Sequence, residues 1–182
     1  MSQARRETNE TRIDLLVEAG TVDPAKIATG ERFLDHMLVT FARYAGLRLE
    51  VAAVGDLRHH LIEDVAITLG LAIRDEVPPA CRRYGHAVLP MDDALVEATV
   101  DLGGRAYYDG RLPSDLYEHF LRSFAHNAEF TLHVRVLRGR DRHHIVEGAF
   151  KAVAFAIRDA LLATDAVFST KGRVRLEREE KN

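Results

Sequence analysis

The sequence lacks the features that would mark a membrane, secreted or nucleic-acid-binding protein. None of its apolar runs approaches the roughly 20 residues of a membrane span, and the N-terminus MSQARRETNE has no apolar signal-peptide segment. The one cysteine, Cys81, allows no internal disulfide, which favours a reducing compartment. The net charge of -3 argues against general binding to nucleic acid or membrane surfaces. We therefore expect a cytoplasmic protein that binds neither nucleic acid nor membranes.

The sequence also lacks a Pro/Gly-rich linker or a low-complexity segment that would divide it into separate domains. It has 182 residues, of which 47% are hydrophobic and 29% are charged, as is typical of a globular chain. We expect one ordinary domain, or two small halves that share a core.

Two stretches of the sequence are near copies of each other. HHLIEDVAITLGLAIRD at 59–75 and HHIVEGAFKAVAFAIRD at 143–159 share a histidine pair, a glutamate and the ending AIRD. Upstream, DHMLVTFARYAGLRLEV at 35–51 aligns with EHFLRSFAHNAEFTLHV at 118–134, at an offset of 83 residues rather than 84. The chain is therefore predicted to be an internal duplication.

Each repeat unit is expected to contain the same elements, with residues 1–88 as the first unit, 89–182 as the second, and both in one compact domain. Alternating and helical hydrophobic spacing predicts strand, helix, strand and helix in each. The predicted fold class is α+β, an internally duplicated half-domain, each half a β-sheet covered on one face by paired helices. The predicted strands are 11–18, 47–54, 94–102 and 130–137, and the predicted helices 31–46, 60–76, 114–126 and 144–163.

The duplicated pattern H-H-x-x-E indicates metal binding. On a helix, the glutamate lies four residues after the first histidine and three after the second, so all three side chains can project from the first turn. Adjacent histidines point about 100° apart, which suits two different ions better than one. Imidazole and carboxylate suit a divalent cation such as Mn, Fe, Co, Ni or Zn, and the absence of sulfur ligands argues against a structural zinc finger.

One copy of this pattern would be weak evidence, because exposed histidines at a helix start are common. Two equivalent copies are stronger, and His36 and His133 add further imidazoles. Three other histidines have no such support, and we interpret them as surface residues or as residues behind the ligands: His86, His119 and His126.

The motifs TGERFLDHM, HHLIEDVAITLG, PMDDALVEATVDLGGRAYY, TLHV, HHIVEGAFKAVAFAIRDAL and STKG, in this order, resemble the imidazoleglycerol-phosphate dehydratase family of histidine biosynthesis. The resemblance runs from RETNET near residue 6 to STKG at 169–172. It implies a ribosomal protein S5 domain 2-like fold in each half. It also implies a hydro-lyase that converts the phosphorylated imidazole D-erythro-imidazole glycerol phosphate to imidazole acetol phosphate, and a homo-oligomeric 24-mer built from trimers.

The resemblance further implies two Mn²⁺ ions per subunit, with ligands drawn from neighbouring chains, acting as Lewis acids and as a template. One ion would be held by His59, His133, His143 and Glu147, and the other by His36, His60, Glu63 and His144. The positions that bind the substrate phosphate would be Arg83, Arg105, Lys151, Ser169 and Lys171. Guanidinium and ammonium groups suit phosphate, although any one of them alone would more often be a solvated surface charge.

A carboxylate must still move protons in this chemistry. By resemblance Glu10 and Asp92 are active-site acids, and Glu63 and Glu147 are alternatives if either leaves its metal. From the sequence alone, Asp92 could equally be a loop or capping carboxylate.

The chain departs from the family at several positions near the expected substrate site. Thr40 and Tyr44 stand where the family usually has glutamine and histidine. Arg58 alone fills the short loop before the first histidine pair, Leu61 replaces a threonine, and Asp141 an asparagine. None of these changes removes a predicted metal ligand. The alternative function is a divergent paralogue that keeps the metal-bound shell but has a different phosphorylated substrate or no catalysis.

Overall fold

The computed structural model describes residues 1–20 and 24–166, and in this part of the chain two successive units repeat the same order of elements. The predicted phosphate-binding residues Ser169 and Lys171 lie outside the described residues. The first unit comprises strands Ser2–Glu7 (β1), Thr11–Ala19 (β2) and Lys26–Ala28 (β3), helix Arg32–Ala45 (α1), strand Leu47–Gly55 (β4) and helix Arg58–Asp75 (α2). The second comprises strands Tyr84–Met91 (β5), Ala94–Asp101 (β6) and Tyr107–Gly110 (β7), helix Asp115–Asn127 (α3), strand Thr131–Arg138 (β8) and helix Arg142–Ala160 (α4).

Each unit forms one four-stranded sheet, and the two sheets have the same topology. Their strand orders are β1-β2-β4-β3 and β5-β6-β8-β7. The pairs β3–β4 and β7–β8 are parallel, and the other pairs are antiparallel. The prediction of a duplicated α+β fold is confirmed.

The helices of the two units pack against each other in crossed pairs. Helix α1 packs against α4, and α2 packs against α3, so each pair combines one helix from each unit. Alternate residues of the strands face these helices; on β2, for example, Ile13, Leu15 and Val17 are buried. The buried side chains form one continuous cluster, so the two units share a single hydrophobic core.

Four strands were not predicted from the sequence, namely β1, β3, β5 and β7. Strand β1 is polar, with the sequence SQARRE, and β3 and β7 are only three and four residues long. The boundary between units at 88/89 stays a prediction, and β5 runs across this position. Helix α4 ends at Ala160, three residues before the predicted end at 163. Among the described residues, no helix is both long and apolar enough to cross a membrane.

Candidate metal centre

The first candidate metal cluster lies where α1 and α4 pack together. His36 is on α1, and His143 and Glu147 are on α4, one helical turn apart. Glu147 Oε2 lies 3.3 Å from His36 Nε2 and 3.1 Å from His143 Nε2. The Glu147 side chain is only 7% exposed, whereas both histidines are exposed to solvent. The three donor atoms can therefore face one cation at the surface.

The second cluster has the same design, and it lies where α2 and α3 pack together. His59 and Glu63 are on α2, and His119 is on α3. His119 Nε2 lies 3.1 Å from Glu63 Oε1, and His59 Nε2 lies 3.5 Å from Glu63 Oε2. The rings of His59 and His119 are stacked, with centroids 5.2 Å apart. In the repeat, His119 corresponds to His36, and each is the fifth residue of its helix.

The structure places His119, rather than His133, in a cluster. His119, which was interpreted from the sequence as a surface residue or one behind the ligands, lies beside Glu63 and is a further candidate ligand. The signal was in the sequence, because the alignment of 35–51 with 118–134 pairs His36 with His119. His133 lies on β8, where its Nδ1 is 3.7 Å from Asp109, on the sheet face opposite the buried Leu132 and Val134.

The predicted grouping of the eight ligands also differs from the arrangement within one chain. His36 lies beside His143 and Glu147, which were predicted to bind a different ion from His36. His59 lies beside Glu63, which was also predicted to bind the other ion. The second histidine of each pair, His60 or His144, lies outside both clusters. The ring planes within each pair are nearly perpendicular, at 80° and 88°, as expected for neighbours about 100° apart on a helix.

Aspartates hold the second histidines in place. His60 Nδ1 lies 2.9 Å from Asp56 Oδ1, and this hydrogen bond raises the pKa of the His60 imidazole. His144 Nδ1 lies 2.7 Å from Asp93 Oδ1, which raises the pKa of His144 and lowers that of Asp93 to about 2. The Nδ1 atom of each imidazole is thus held by an aspartate carboxylate, which fixes the orientation of the ring.

The predicted acids Glu10 and Asp92 occupy equivalent connections beside these second histidines. Glu10, between β1 and β2, has its Oε2 3.5 Å from His60 Nδ1. Asp92, between β5 and β6, has its Oδ2 3.3 Å from His144 Nε2. The buried Asp64 ties the first of these hairpins to α2, since it bonds to Arg6 at 2.8 Å and to the Thr11 hydroxyl.

The three predicted phosphate-binding residues that the structure describes, Arg83, Arg105 and Lys151, fall at opposite ends of the second sheet. Arg83, just before β5, donates to Asp101 Oδ1 at 2.6 Å and Oδ2 at 3.0 Å, and it lies against Gly103 in the loop that carries Arg105. Lys151 lies near Met91, the last residue of β5. An eight-residue strand spans roughly 25 Å, so Lys151 is remote from Arg83 within one chain.

The two clusters fit a divalent metal ion. Each offers two imidazole nitrogens and one carboxylate, and the donor atoms lie within 4.8 Å of one another. His119 Nε2 is buried and makes no hydrogen bond with any described residue, because its contact with Glu63 lacks hydrogen-bond geometry. Burial raises the pKa of Glu147, but hydrogen bonds from Lys151 and His36 outweigh it, so the pKa lies below its ordinary value. A cation would satisfy these groups.

The fold and the site define a duplicated α+β protein with paired histidine–glutamate clusters of the kind that hold divalent metals. The family described as Imidazoleglycerol-phosphate dehydratase matches residues 29–157. The chain belongs to this family of hydro-lyases, which act in histidine biosynthesis.

Individual relatives agree with this assignment. The imidazoleglycerol-phosphate dehydratase of Granulibacter bethesdensis is 44% identical, over 92% of this chain and 95% of that protein. A crystal structure of the Pyrococcus furiosus enzyme is 41% identical, covers 94% of this chain and 100% of its own, and superposes with a TM-score of 0.83. A crystal structure of the Staphylococcus aureus enzyme is 33% identical, covers 90% of this chain and 100% of its own, and superposes with a TM-score of 0.79.

Proposed function

We propose that the protein catalyses the metal-dependent dehydration of D-erythro-imidazole glycerol phosphate to imidazole acetol phosphate. The observation that carries this proposal is the pair of matched clusters, each built from two histidines and a glutamate on crossed helices. Two divalent ions per subunit, with manganese as the native metal, would occupy them. The names of the relatives support the substrate, a phosphorylated imidazole.

Within each cluster, the protein's own groups would hold and orient the ion. His36, His143 and Glu147 would hold one, and His59, Glu63 and His119 the other. When bound, such ions supply Lewis acidity and a template for the substrate. Three protein donors would leave room on each ion for a substrate or a further ligand.

The second histidines would complete the site from another subunit. His60 and His144 lie outside the clusters of their own chain, and the Nδ1 atom of each is held by an aspartate. We propose that they ligate the ions of neighbouring copies, in a homo-oligomer of 24 subunits built from trimers.

Phosphate binding and proton transfer would fall to separate groups. Arg83 is held by both oxygens of Asp101, and its place beside the loop of Arg105 supports a shared phosphate site. Because Lys151 lies at the other end of β5, it could join this phosphate site only from another subunit. Glu10 and Asp92 are exposed carboxylates next to the second histidines, so either could move a proton once these histidines reach a neighbour's site.

One observation favours the alternative of a different phosphorylated substrate or weak catalysis. Tyr44 stands beside the first cluster, with its ring centroid 5.5 Å from Lys151 Nζ. A phenol hydroxyl is a poorer proton acceptor at neutral pH than the imidazole that the family usually has here. A site that needs a proton acceptor at this position would therefore turn over slowly.

The test is turnover of imidazole glycerol phosphate by the purified, Mn²⁺-loaded protein and three variants. His119→Asn removes a donor from the second cluster, so we expect a loss of at least ~100-fold in kcat/KM and of metal content. His126→Asn, at an exposed position on the same helix, is the matched control and should behave like the parent.

His133→Asn separates the two candidate ligand sets. It should retain its metal if His119 is the ligand and lose it if His133 is. Full turnover and full metal content in His119→Asn would contradict the proposed site. No turnover by the metal-loaded parent would favour the alternative function.

A further inference from the structure

The two clusters are not electrostatically equivalent, because only the first glutamate shares its charge with an ammonium group. Glu147 Oε1 lies 2.8 Å from Lys151 Nζ, while Oε2 faces His36 and His143. The Lys151 side chain is only 12% exposed, and it also lies 2.9 Å from Met91 Sδ. The ammonium is thus fixed against the carboxylate from the side away from the histidines.

The second glutamate has both oxygens directed at histidines. Glu63 Oε1 faces His119, and Oε2 faces His59. The repeat equivalent of Lys151 is Ile67, four residues after Glu63, and an isoleucine carries no charge. The Glu63 side chain is also 34% exposed, compared with 7% for Glu147.

Arginines near the second cluster do not restore the balance, because other carboxylates engage them. A cleft of about 810 Å³ beside His59 and His119 contains Arg58, Arg111 and Arg122. Arg58 pairs with Glu31 at 2.9 Å, and Arg122 with Glu118 at 2.9 Å. Arg111 lies 3.7 Å from Glu118, and Asp115 also lines the cleft. Their positive charge is therefore largely neutralised before it reaches Glu63.

We infer that the two clusters bind metal with unequal affinity, and that Lys151 causes the difference. The inference rests on the proposed function only in taking the clusters as metal sites. At the first cluster, an ion must share Glu147 with a nearly buried, poorly screened ammonium. At the second, Glu63 gives its full charge to the ion. The second cluster therefore fills first, and the first holds its ion more weakly and exchanges it faster.

The experiment titrates the metal-free protein with Mn²⁺ and follows free Mn²⁺ by electron paramagnetic resonance. The His36→Asn variant isolates the second cluster, and His119→Asn isolates the first. We expect the dissociation constant of the first cluster to be at least about tenfold higher, a difference of ~1.4 kcal/mol. The wild-type protein should accordingly bind Mn²⁺ in two resolved classes.

Two reciprocal substitutions test the cause. Lys151→Met keeps the length of the side chain and should tighten the first cluster by about tenfold without changing the second. Ile67→Lys should weaken the second cluster by a similar factor, and Ile67→Met is its neutral control. Circular dichroism verifies the fold of each variant, and Lys151→Met decides the matter if Ile67→Lys does not fold.

Each outcome has a distinct meaning. Equal affinities, or no tightening by Lys151→Met, would overturn the inference but leave both metal sites intact. If neither isolated cluster bound Mn²⁺, the metal sites of the proposed function would fail as well. Looser binding in Lys151→Met would show that the lysine strengthens the site by orienting Glu147, which is the opposite of our inference.

Discussion

At the scale of single residues, Tyr44 is linked to the first cluster through Lys151. It lies on α1 eight residues after His36, and its ring approaches Lys151, which in turn contacts Glu147. Thr40, one turn earlier, is buried. The two residues that depart from the family pattern thus lie on the same helix as a candidate metal ligand, and Tyr44 is two contacts away from the carboxylate.

We predict that turnover is present but impaired, and that Tyr44→His, alone or with Thr40→Gln, raises kcat by about tenfold or more. An imidazole titrates near neutral pH and can accept a proton that a phenol cannot, and such a contribution is typically worth ~10²–10⁴-fold. The measurement is steady-state turnover of imidazole glycerol phosphate at full metal occupancy. The control is Tyr44→Phe, which keeps the ring over Lys151 and should match the parent. A parent with a kcat already typical of enzymes, about 10 s⁻¹ or above, would refute the prediction.

The histidines show what the sequence can and cannot predict at this scale. Of the three residues in each H-H-x-x-E copy, the first histidine and the glutamate meet in a cluster, because residues four apart on a helix share a face, whereas the second histidine lies outside it. This spacing carries no information about which helices pack together. The residues that meet each pair in the structure therefore differ from the predicted ligand groups. Only the repeat alignment of His36 with His119 held that information, while His133 lies on the opposite face of its sheet.

At the scale of secondary-structure elements, the position of α4 depends on one very close approach to β5. A Cβ atom on Gly85 would lie 1.8 Å from the carbonyl oxygen of Ala156 on α4. No side chain can be accommodated at that distance, because the contact is with backbone. This glycine therefore sets how near the helix that carries His143 and Glu147 can lie to its sheet.

We predict that Gly85→Ala lowers the free energy of unfolding by about 3 kcal/mol or more, because strand and helix must move apart. Denaturant unfolding of the metal-free protein measures the change. Gly148→Ala is the matched control on α4, since its Cβ would meet the Val96 side chain at 3.1 Å, and alanine is favoured within a helix. Its effect should stay within about 1 kcal/mol. Equal effects of the two substitutions would contradict the argument.

The helices and central strands were predictable from the sequence, and the edge strands were not. Helix α1 carries buried residues at helical spacing, and β2 and β6 alternate buried with more exposed positions, so their periods are clear. Strand β1 contains no large apolar residue, and its pairing with β2 depends on main-chain hydrogen bonds. Such a strand gives no signal in a pattern of hydrophobicity.

At the scale of the whole molecule, each cluster is a three-donor site at the surface, and His60 and His144 are displaced from it. If a neighbouring copy supplies a fourth ligand to each ion, metal binding and assembly of the oligomer are thermodynamically coupled. Any ion bound only by the assembled form stabilises that form by mass action.

We predict that chelation reduces the particle mass and that Mn²⁺ restores it. Light scattering before and after treatment with a chelator, with metal loss verified by elemental analysis, measures this. A variant with both His60→Asn and His144→Asn should remain small even with Mn²⁺, whereas His86→Asn, on the outer face of β5, should assemble. A constant particle mass after complete metal loss would show that the subunit interfaces do not depend on the ions. A small particle in the presence of metal would count against 24 subunits.

The crossed pairing of helices has a consequence for the origin of the protein. Each cluster takes one helix from the first unit and one from the second, so a single ancestral unit could not have built a cluster by folding alone. Two copies of that unit, related by a twofold axis, would have formed two identical clusters at once. Fusion of two such genes would have allowed the copies to diverge, and Lys151 in one half opposite Ile67 in the other is one such difference.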